Sequence, residues 1–171
     1  MLYCNRQIEK TPVSDGIMLL MIKEVKNENE TKSFGQAIGL ALVGGEVIEL
    51  VGDVGTGKTT LVKGIAVGLG IDEYVQSPSF TINRVYKGRD DLTLSHYDFY
   101  RLDDAGIMAN ELGEEIGKPG IITIIEWGGV VEGVLPTDRL TILITSPSEF
   151  ARKFEITASG ESSQTLEGNI G

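Results

Sequence analysis

Hydrophobic positions repeat along the chain with two periods, one typical of strands and one typical of helices. Short apolar runs and alternating apolar positions predict strands, whereas a spacing of three or four residues predicts helices. The run at residues 121–125 is continuously apolar and precedes an acid, which is typical of a strand buried on both faces of a parallel sheet. Strands are predicted at residues 18–25, 47–51, 80–86, 92–99, 121–125, 140–145 and 152–157.

Three helices are predicted between these strands. Asn27 and Glu30 have the spacing of a capping side chain and a first-turn acid, and the apolar face that follows ends at two glycines at residues 44–45. A second helix begins near Lys58 and is also closed by glycines. A third helix, at residues 105–116, is weaker because a glycine interrupts its pattern.

The segment between the second predicted strand and the second predicted helix contains a phosphate-binding pattern. Gly52, Gly57, Lys58 and Thr59 match G-x-x-x-x-G-K-[ST], the loop that binds nucleoside triphosphates. The glycines allow positive φ angles, so several N–H groups can approach phosphate oxygens. The helix that follows would direct its free N–H groups and the positive end of its dipole at the same phosphates.

Each residue type in this loop suits a bound polyphosphate. Lys58 would reach the β and γ oxygens, and the Thr59 hydroxyl would bind Mg²⁺. The predicted fold class is therefore α/β, a single P-loop NTPase-type domain with a mixed, mainly parallel sheet flanked by helices. The loop residues expected to contact the nucleoside triphosphate are Asp53, Val54, Gly55, Thr56, Gly57, Lys58 and Thr59.

The length of 171 residues suits one domain with a core that needs no disulfide or structural metal. Residues 1–16 show neither period and are predicted to be a disordered leader, residues 17–158 the ATPase domain, and residues 159–171 a flexible tail. No apolar run reaches the ~20 residues of a membrane span, and the start lacks a signal-peptide core. We therefore expect a cytoplasmic protein without membrane contact.

The net charge of −10 and the pI near 4.6 oppose a direct grip on DNA or RNA. Affinity for a nucleic-acid backbone comes from clustered Lys and Arg side chains. Any RNA in the biology of this protein is expected to be held by a partner. The negative net charge could serve solubility alone, and this explanation is at least as good as an acidic docking surface.

Two acids at predicted strand ends could complete the site. Phosphate-loop enzymes usually need a carboxylate at the end of a neighbouring strand, because Mg²⁺ must neutralise charge on the β and γ oxygens. Glu126, after the apolar run at residues 121–125, fits this place. Asp98 is the competing acid and could support the metal indirectly or orient the attacking water. The sequence does not divide these roles.

Four motifs, in order and at similar spacing, resemble those of the TsaE family. They are Gly-Asp-Val-Gly-Thr-Gly-Lys-Thr-Thr at residues 52–60, Ser-Pro-Ser-Phe-Thr at 77–81, His-Tyr-Asp-Phe-Tyr-Arg-Leu at 96–102 and Ile-Glu-Trp at 125–127. The resemblance covers residues 27–157. It implies an ATPase of bacterial tRNA threonylcarbamoyladenosine (t6A) synthesis that joins the TsaB and TsaD proteins. Its hydrolysis of ATP would support repeated cycles of modification next to the anticodon, while TsaD performs the transfer and the partners hold the tRNA.

The resemblance also implies roles for single positions. Thr60 would lie beside the phosphates, and residues 77–81 look like a switch segment that senses the γ-phosphate. Asp98 and Trp127 match positions that the family needs for activity. By resemblance, the catalytic residues are Lys58, Asp98 and Glu126, the Mg²⁺ ligands are Thr59 and Glu126, and Ser77, Thr81 and Trp127 join the ATP-binding residues.

Several of these residues also have ordinary structural interpretations. Trp127 could be core filler, His96 a strand residue of the predicted hairpin, and Arg101 the partner of a phosphate or of Asp98. The chain also departs from the family pattern. Gly128-Gly129 replaces the usual proline after Glu-Trp, which predicts a looser loop and leaves its partner contacts open, and Ser79 replaces a threonine but keeps the hydroxyl.

Other functions use the same phosphate loop. A small-molecule kinase should add an acceptor pocket and usually an arginine-rich lid, but the arginines here are scattered. The Ser-Gly-Gly signature of transporter ATPases and the Asn-Lys-x-Asp motif of GTPases are absent from the sequence, which favours ATP by elimination. A nucleotide-dependent scaffold without significant hydrolysis is the alternative from another class.

Overall fold

The computed structural model describes the backbone of residues 7–13 and 16–170 and the side chains from Leu20 to Ile170. Within these residues, eight strands form one sheet. None of the helices described is long and apolar enough to cross a bilayer. The elements are β1 (Gln7–Val13), β2 (Gly16–Val25), α1 (Glu28–Ala41), β3 (Val47–Val51), α2 (Lys58–Gly68), β4 (Asn83–Lys87), β5 (Thr93–Asp98), α3 (Ile107–Glu115), β6 (Ile121–Glu126), β7 (Leu140–Thr145), β8 (Arg152–Ala158) and α4 (Glu161–Asn169), with short 3₁₀ segments at Arg89–Asp91 and Gly128–Val134.

The sheet is parallel in its centre and antiparallel towards both margins. Its strand order is β1-β2-β8-β7-β3-β6-β5-β4. Strand β3 pairs in parallel with β6 and β7, and β5 pairs in parallel with β6. The remaining pairs are antiparallel. The arrangement confirms the predicted α/β fold class, with the continuously apolar strand β6 in the parallel centre.

Helices α1 and α2 pack together on one face of the sheet with their backbones in contact. A Cβ atom at Gly35 would lie 2.4 Å from the carbonyl oxygen of Leu61, and one at Gly64 would lie 2.3 Å from the carbonyl oxygen of Lys32. Real Cβ atoms do not approach this closely, so glycine is required on both helices. The helix that follows the phosphate loop is therefore held tightly against α1.

The opposite face of the sheet carries a second, smaller core beneath α3 and the segment Gly128–Val134. Strand β6 contributes to both cores, with Ile122 and Ile124 on the first face and Ile125 on the second. The glycine pair at residues 128–129, which the sequence predicts to loosen its loop, begins a 3₁₀ segment that buries Val131.

Strand β4 begins at Asn83, whereas the sequence predicts a strand from residue 80. Ile82 has a φ of 66°, which is outside the extended range. The N–H groups of Thr81 and Ile82 both donate to the carbonyl oxygen of Pro78, at 2.9 and 2.7 Å. The chain therefore turns at residues 78–82 before it enters the sheet, and the side chain of Phe80 is left exposed.

Both ends of the chain contain regular elements where the sequence predicts none. Part of the predicted disordered leader, Gln7–Val13, forms β1 against β2, and residues 1–6 and 14–15 lie outside the described residues. Most of the predicted flexible tail forms α4, because Leu166 and Ile170 are buried against the first core. Gly171 also lies outside the described residues. The mobility of both ends in solution stays a prediction.

Candidate functional site

The phosphate loop forms the turn between β3 and α2. Gly52, Gly55 and Gly57 have φ angles of 153°, 81° and 101°, values that favour glycine. At Gly52, a Cβ atom would also lie 2.7 Å from the carbonyl oxygen of Ile144 on β7. No side chain of the described residues caps the start of α2. The first N–H groups of this helix therefore remain available to an anion.

Lys58 is the first residue of α2, and its ammonium group lies inside the loop. The side chain is buried, and Nζ donates to the carbonyl oxygens of Gly52 and Asp53 at 2.8 and 3.0 Å. Among the described residues, the acid beside this ammonium group is Glu126, whose Oε2 atom lies 4.0 Å from Nζ. The structure thus places a buried cation where the loop surrounds it with backbone oxygens.

Glu126 ends β6 beside this lysine. The carboxylate is only 3% exposed, and its second oxygen, Oε1, lies 2.9 Å from Nε2 of His96 on β5. The two contacts use different oxygens, so the carboxylate lies between the imidazole and the ammonium group. Sequence reasoning placed Glu126 correctly at a strand end but did not identify His96 as its partner.

Asp98 ends β5 opposite Glu126 in the parallel ladder, but it has different partners. The Ser77 hydroxyl donates to Oδ2 of Asp98 at 2.8 Å, and the Ser79 hydroxyl bonds to the same oxygen. The N–H group of Tyr100 donates to Oδ1 at 3.0 Å. The two acids therefore differ in position: Asp98 fastens the segment before β4, whereas Glu126 faces the phosphate loop.

A cleft of about 450 Å³ collects most of the predicted site residues. Asp53 and Thr56 line instead a larger adjoining cleft of about 860 Å³, which shares Val54, Tyr100 and Trp127 with the smaller one. Thr81 is exposed and is not among the residues that line either cleft. The predicted residues that line the smaller cleft are Val54, Gly55, Gly57, Lys58, Thr59, Thr60, Ser77, Asp98, Glu126 and Trp127.

Trp127 forms a wall that the two clefts share. Its φ of 60° turns the chain immediately after β6. The centre of its ring lies 4.7 Å from Nζ of Lys58 and 4.9 Å from the ring centre of Tyr100. The indole therefore touches the cation of the site, an attractive contact for an aromatic ring, in addition to packing.

Arg101 is an exposed residue of the lining of the smaller cleft and stacks on an exposed aromatic ring. The guanidinium carbon is 4.0 Å from the ring centre of Phe80, whose side chain is 82% exposed. The sequence left open whether Arg101 pairs with a phosphate or with Asp98. The structure shows stacking on Phe80, which holds the guanidinium group beside the cleft.

Arg152 is a supporting residue that sequence reasoning missed. It begins β8, and its Nε donates to the carbonyl oxygen of Thr56 in the phosphate loop at 2.8 Å. One terminal nitrogen also donates to the carbonyl oxygens of Glu149 and Ala151, at 3.0 and 2.8 Å. Arg152 thus fastens the loop to the β7–β8 connection. The two bonded residues are 96 positions apart, and no local pattern could have shown their contact.

The donor set fits Mg²⁺ only together with a nucleotide. Among the described residues there is no group of three or more His, Cys, Asp or Glu side chains that could hold a metal ion by itself. Thr59, which carries a hydroxyl, and Glu126, which carries a carboxylate, both line the smaller cleft. Mg²⁺ usually binds through one or two protein oxygens, substrate phosphates and water, so this pair is a suitable protein contribution.

A central parallel sheet, a glycine-rich loop and a buried lysine at the start of a helix define a P-loop nucleotide-binding protein. Residues 25–154 match the family model described as "Threonylcarbamoyl adenosine biosynthesis protein TsaE". The chain belongs to the TsaE family.

Similar proteins support this assignment along most of the chain. A Bacillus subtilis protein named tRNA threonylcarbamoyladenosine biosynthesis protein TsaE is 37% identical over 82% of this chain and 87% of its own length. A Treponema pallidum protein of the same name is 41% identical over 68% of this chain and 85% of its own length. The crystal structure of Bacillus subtilis YdiB superposes with a TM-score of 0.78 at 32% identity, covering 91% of this chain and 97% of that one.

Proposed function

We propose that this protein binds and hydrolyses ATP as a component of the machinery that synthesises t6A in tRNA, acting with TsaB and TsaD. Membership of the TsaE family supports the pathway. The observation that carries the ATPase proposal is the convergence of Lys58 and Glu126, with 4.0 Å between Nζ and Oε2, in the cleft beside the phosphate loop. A cation and an acid at this spacing suit a triphosphate and its metal.

Different residues of the cleft bind the phosphates, hold the metal ion and contact the nucleotide. The backbone N–H groups of the loop and of the first turn of α2 bind phosphate oxygens. Lys58 leaves its contacts with loop carbonyl oxygens and pairs with the β and γ phosphates. Thr59 and Glu126 would hold Mg²⁺, whose charge would offset the negative charge of the phosphates. Thr60 and Trp127 flank the bound nucleotide.

The segment at residues 77–81 acts as the sensor of the terminal phosphate. Ser77 and Ser79 bond to Asp98 at the edge of the cleft, so a change in this contact moves the whole turn. Phe80, at the tip of the turn, is exposed and stacked on Arg101. A displacement that begins at the phosphate is therefore carried to the protein surface.

Exposed apolar side chains around the cleft support a protein partner there. Phe80, Val54 and Tyr100 are 82%, 69% and 52% exposed, and all three line the cleft. Large exposed apolar side chains that cluster at one place often mark an interaction site. TsaB and TsaD are the partners proposed for this surface. The net charge of −10 favours contact with tRNA only through them.

The proposal is tested by measuring ATP turnover of the isolated chain and of the chain with TsaB and TsaD. We expect slow hydrolysis by the isolated chain and faster hydrolysis with both partners. Glu126→Ala should abolish turnover but retain some nucleotide binding, because the loop and Lys58 remain. Glu132→Ala is a matched control, since this exposed acid lies outside the residues that line the cleft.

Two outcomes would contradict the proposal. ADP release that depends on a small metabolite and ignores the partner proteins would indicate a kinase. Nucleotide binding without hydrolysis under every partner condition would indicate a scaffold.

A further inference from the structure

His96 is a fully buried side chain whose polar contact among the described residues is with Glu126. Its exposed fraction is 0%, and Nε2 lies 2.9 Å from Oε1 of the carboxylate. The other ring nitrogen, Nδ1, is buried and has no hydrogen-bond partner among the described residues. Because a carboxylate oxygen can only accept, the bonding network assigns the ring hydrogen to Nε2.

Burying His96 costs folding free energy that an apolar side chain at this position would not cost. Leu94, two positions earlier on β5 and on the same face, belongs to the apolar core, and an apolar side chain at position 96 would extend that core. An imidazole instead buries one unpaired nitrogen, which opposes folding. Within the part of the chain that the structure describes, the contact with Glu126 is the one polar interaction of this side chain that offsets the cost.

The contact also determines which oxygen of Glu126 faces the nucleotide site. Oε1 is occupied by His96, whereas Oε2 lies towards Nζ of Lys58 at 4.0 Å. A carboxylate without the imidazole could rotate about its terminal torsion, since that torsion has broad preferences. The histidine therefore restricts the carboxylate to one orientation.

We propose that His96 is a positioning residue for magnesium: it holds Oε1 of Glu126 so that Oε2 is presented to the ion that accompanies the nucleotide. This inference rests on the proposed function, because it requires Mg²⁺ with ATP in the cleft. Removal of a group that orients a metal ligand through a hydrogen bond typically lowers metal affinity about 10- to 100-fold.

The experiment uses Trp127, the only tryptophan of the chain, as a reporter of the site. Its ring lies 4.7 Å from Nζ of Lys58, so its fluorescence should change when nucleotide binds. Mg²⁺ is titrated at fixed ATP into the full chain and into His96→Leu and His96→Gln. His96→Leu removes the donor, whereas the amide of His96→Gln can still donate to Glu126.

For His96→Leu, we expect the Mg²⁺ concentration for half of the fluorescence change to rise about tenfold, the lower end for such residues. His96→Gln should stay close to wild type. ATP affinity measured in EDTA should be the same in all three proteins. Ser95→Ala, at the adjacent buried position of β5, is the control and should behave as wild type. If His96→Leu does not fold, His96→Asn, whose shorter amide stops short of Glu126, takes its place.

A double-variant cycle separates this role from a general effect on the fold. In a Glu126→Ala background, His96→Leu should cause no further change in Mg²⁺ dependence, because the histidine acts through that carboxylate. An unchanged Mg²⁺ requirement in the single variant would overturn the inference, as would an equal loss of ATP affinity in EDTA. Absence of ATP binding by the wild-type chain would instead overturn the proposed function.

Discussion

Lys58 shows how a buried charge is held ready at the site. Its ammonium group is almost fully buried, and a buried cation is stable only when it is paired or hydrogen-bonded. Two carbonyl oxygens of the loop accept hydrogen bonds from it, and Glu126 supplies the opposite charge at 4.0 Å. Phosphate oxygens are expected beside the same ammonium group, so the cation can exchange the carbonyl oxygens for phosphate oxygens.

Arg152 supports the same loop from outside the cleft, which leads to a residue-scale prediction. Arg152→Ala removes the hydrogen bond to the carbonyl oxygen of Thr56 and frees that side of the loop. A hydrogen bond with a charged partner contributes about 1.5 to 3 kcal/mol, and we expect roughly tenfold weaker ATP binding, equal to ~1.4 kcal/mol. Isothermal titration calorimetry with ATP and Mg²⁺ measures this change.

Lys153→Ala is the matched control for this prediction. Lys153 is the next residue of β8, and its ion pair with Glu155 is partly exposed. Such pairs contribute little, so ATP affinity should be unchanged. Equal ATP affinities for Arg152→Ala and Lys153→Ala would show that ATP binding by the loop does not depend on the hydrogen bond from Arg152.

At the element scale, the contact between α1 and α2 fixes the position of the helix that follows the phosphate loop. Two glycines on each helix, Gly35 and Gly39 on α1 and Gly64 and Gly68 on α2, allow the backbones to touch. Arg89, in the β4–β5 hairpin, donates to the carbonyl oxygens of Leu40 and Leu42 near the end of α1, at 3.1 and 3.0 Å. The hairpin that carries Asp98 is thereby linked to the helix pair.

Gly64→Ala tests the backbone contact. The new Cβ would lie 2.9 Å from Cα of Gly35, where the opposing backbone must shift. Overpacking of this kind costs about 1 to 3 kcal/mol, so the midpoint of thermal unfolding should fall by roughly 2 to 10 °C. Circular dichroism during heating measures the midpoint.

Gly113→Ala provides the opposite expectation within another helix. Gly113 lies in α3, and a Cβ there meets nothing within 4 Å. Because alanine favours helices over glycine by about 0.5 to 1 kcal/mol, this variant should be as stable as wild type or more so. A loss of stability equal to that of Gly64→Ala would refute the close-packing explanation.

The start of α4 depends on a carboxylate from another part of the chain, and this gives a pH prediction. Burial alone would raise the pKa of Asp138, but hydrogen bonds from the N–H groups of Ser163 and Ser162 hold it below its ordinary value. The stabilisation is therefore complete above the unfolded pKa near 3.9 and is lost as pH falls through the folded pKa. Asp138→Ala should reduce the free energy of unfolding by about 1 kcal/mol at neutral pH.

Urea denaturation at several pH values measures this effect. The difference between wild type and Asp138→Ala should shrink as the pH is lowered from about 6 to about 3. Asp72→Ala, at an exposed acid in the connection after α2, should show no such difference at any of these values. If the difference in unfolding free energy between wild type and Asp138→Ala stays the same at low pH, the ionised Asp138 carboxylate does not stabilise the start of α4.

At the scale of the whole molecule, the sequence predicts those features that depend on a local motif or on the geometry of parallel strands. Lys58 and Thr59 follow from a local motif, and Glu126 from the rule that parallel strands place their carboxyl ends at one edge. The contacts of Arg152 and Asp138 join residues far apart in the chain, so no periodicity reveals them. Helix α4 escaped prediction because Leu166 packs against the first core, a contact that the local pattern does not show. The turn before β4 escaped prediction because Ser77 and Ser79 bond to Asp98, 21 and 19 positions away.

ATP with Mg²⁺ should stabilise the whole fold, because the loop joins β3 to α2 and is bonded to the first residue of β8. A ligand that binds only the folded chain, at about 100 times its dissociation constant, adds ~2.7 kcal/mol. For a chain of this length, the unfolding midpoint should rise by roughly 5 to 10 °C. EDTA should remove part of this shift, since Thr59 and Glu126 would then lose the ion. Lys58→Ala should lose most of the shift, while Lys63→Ala, on the same helix but outside the lining of the cleft, should retain it. An unchanged midpoint for the folded wild-type chain would exclude ATP as the ligand of this loop.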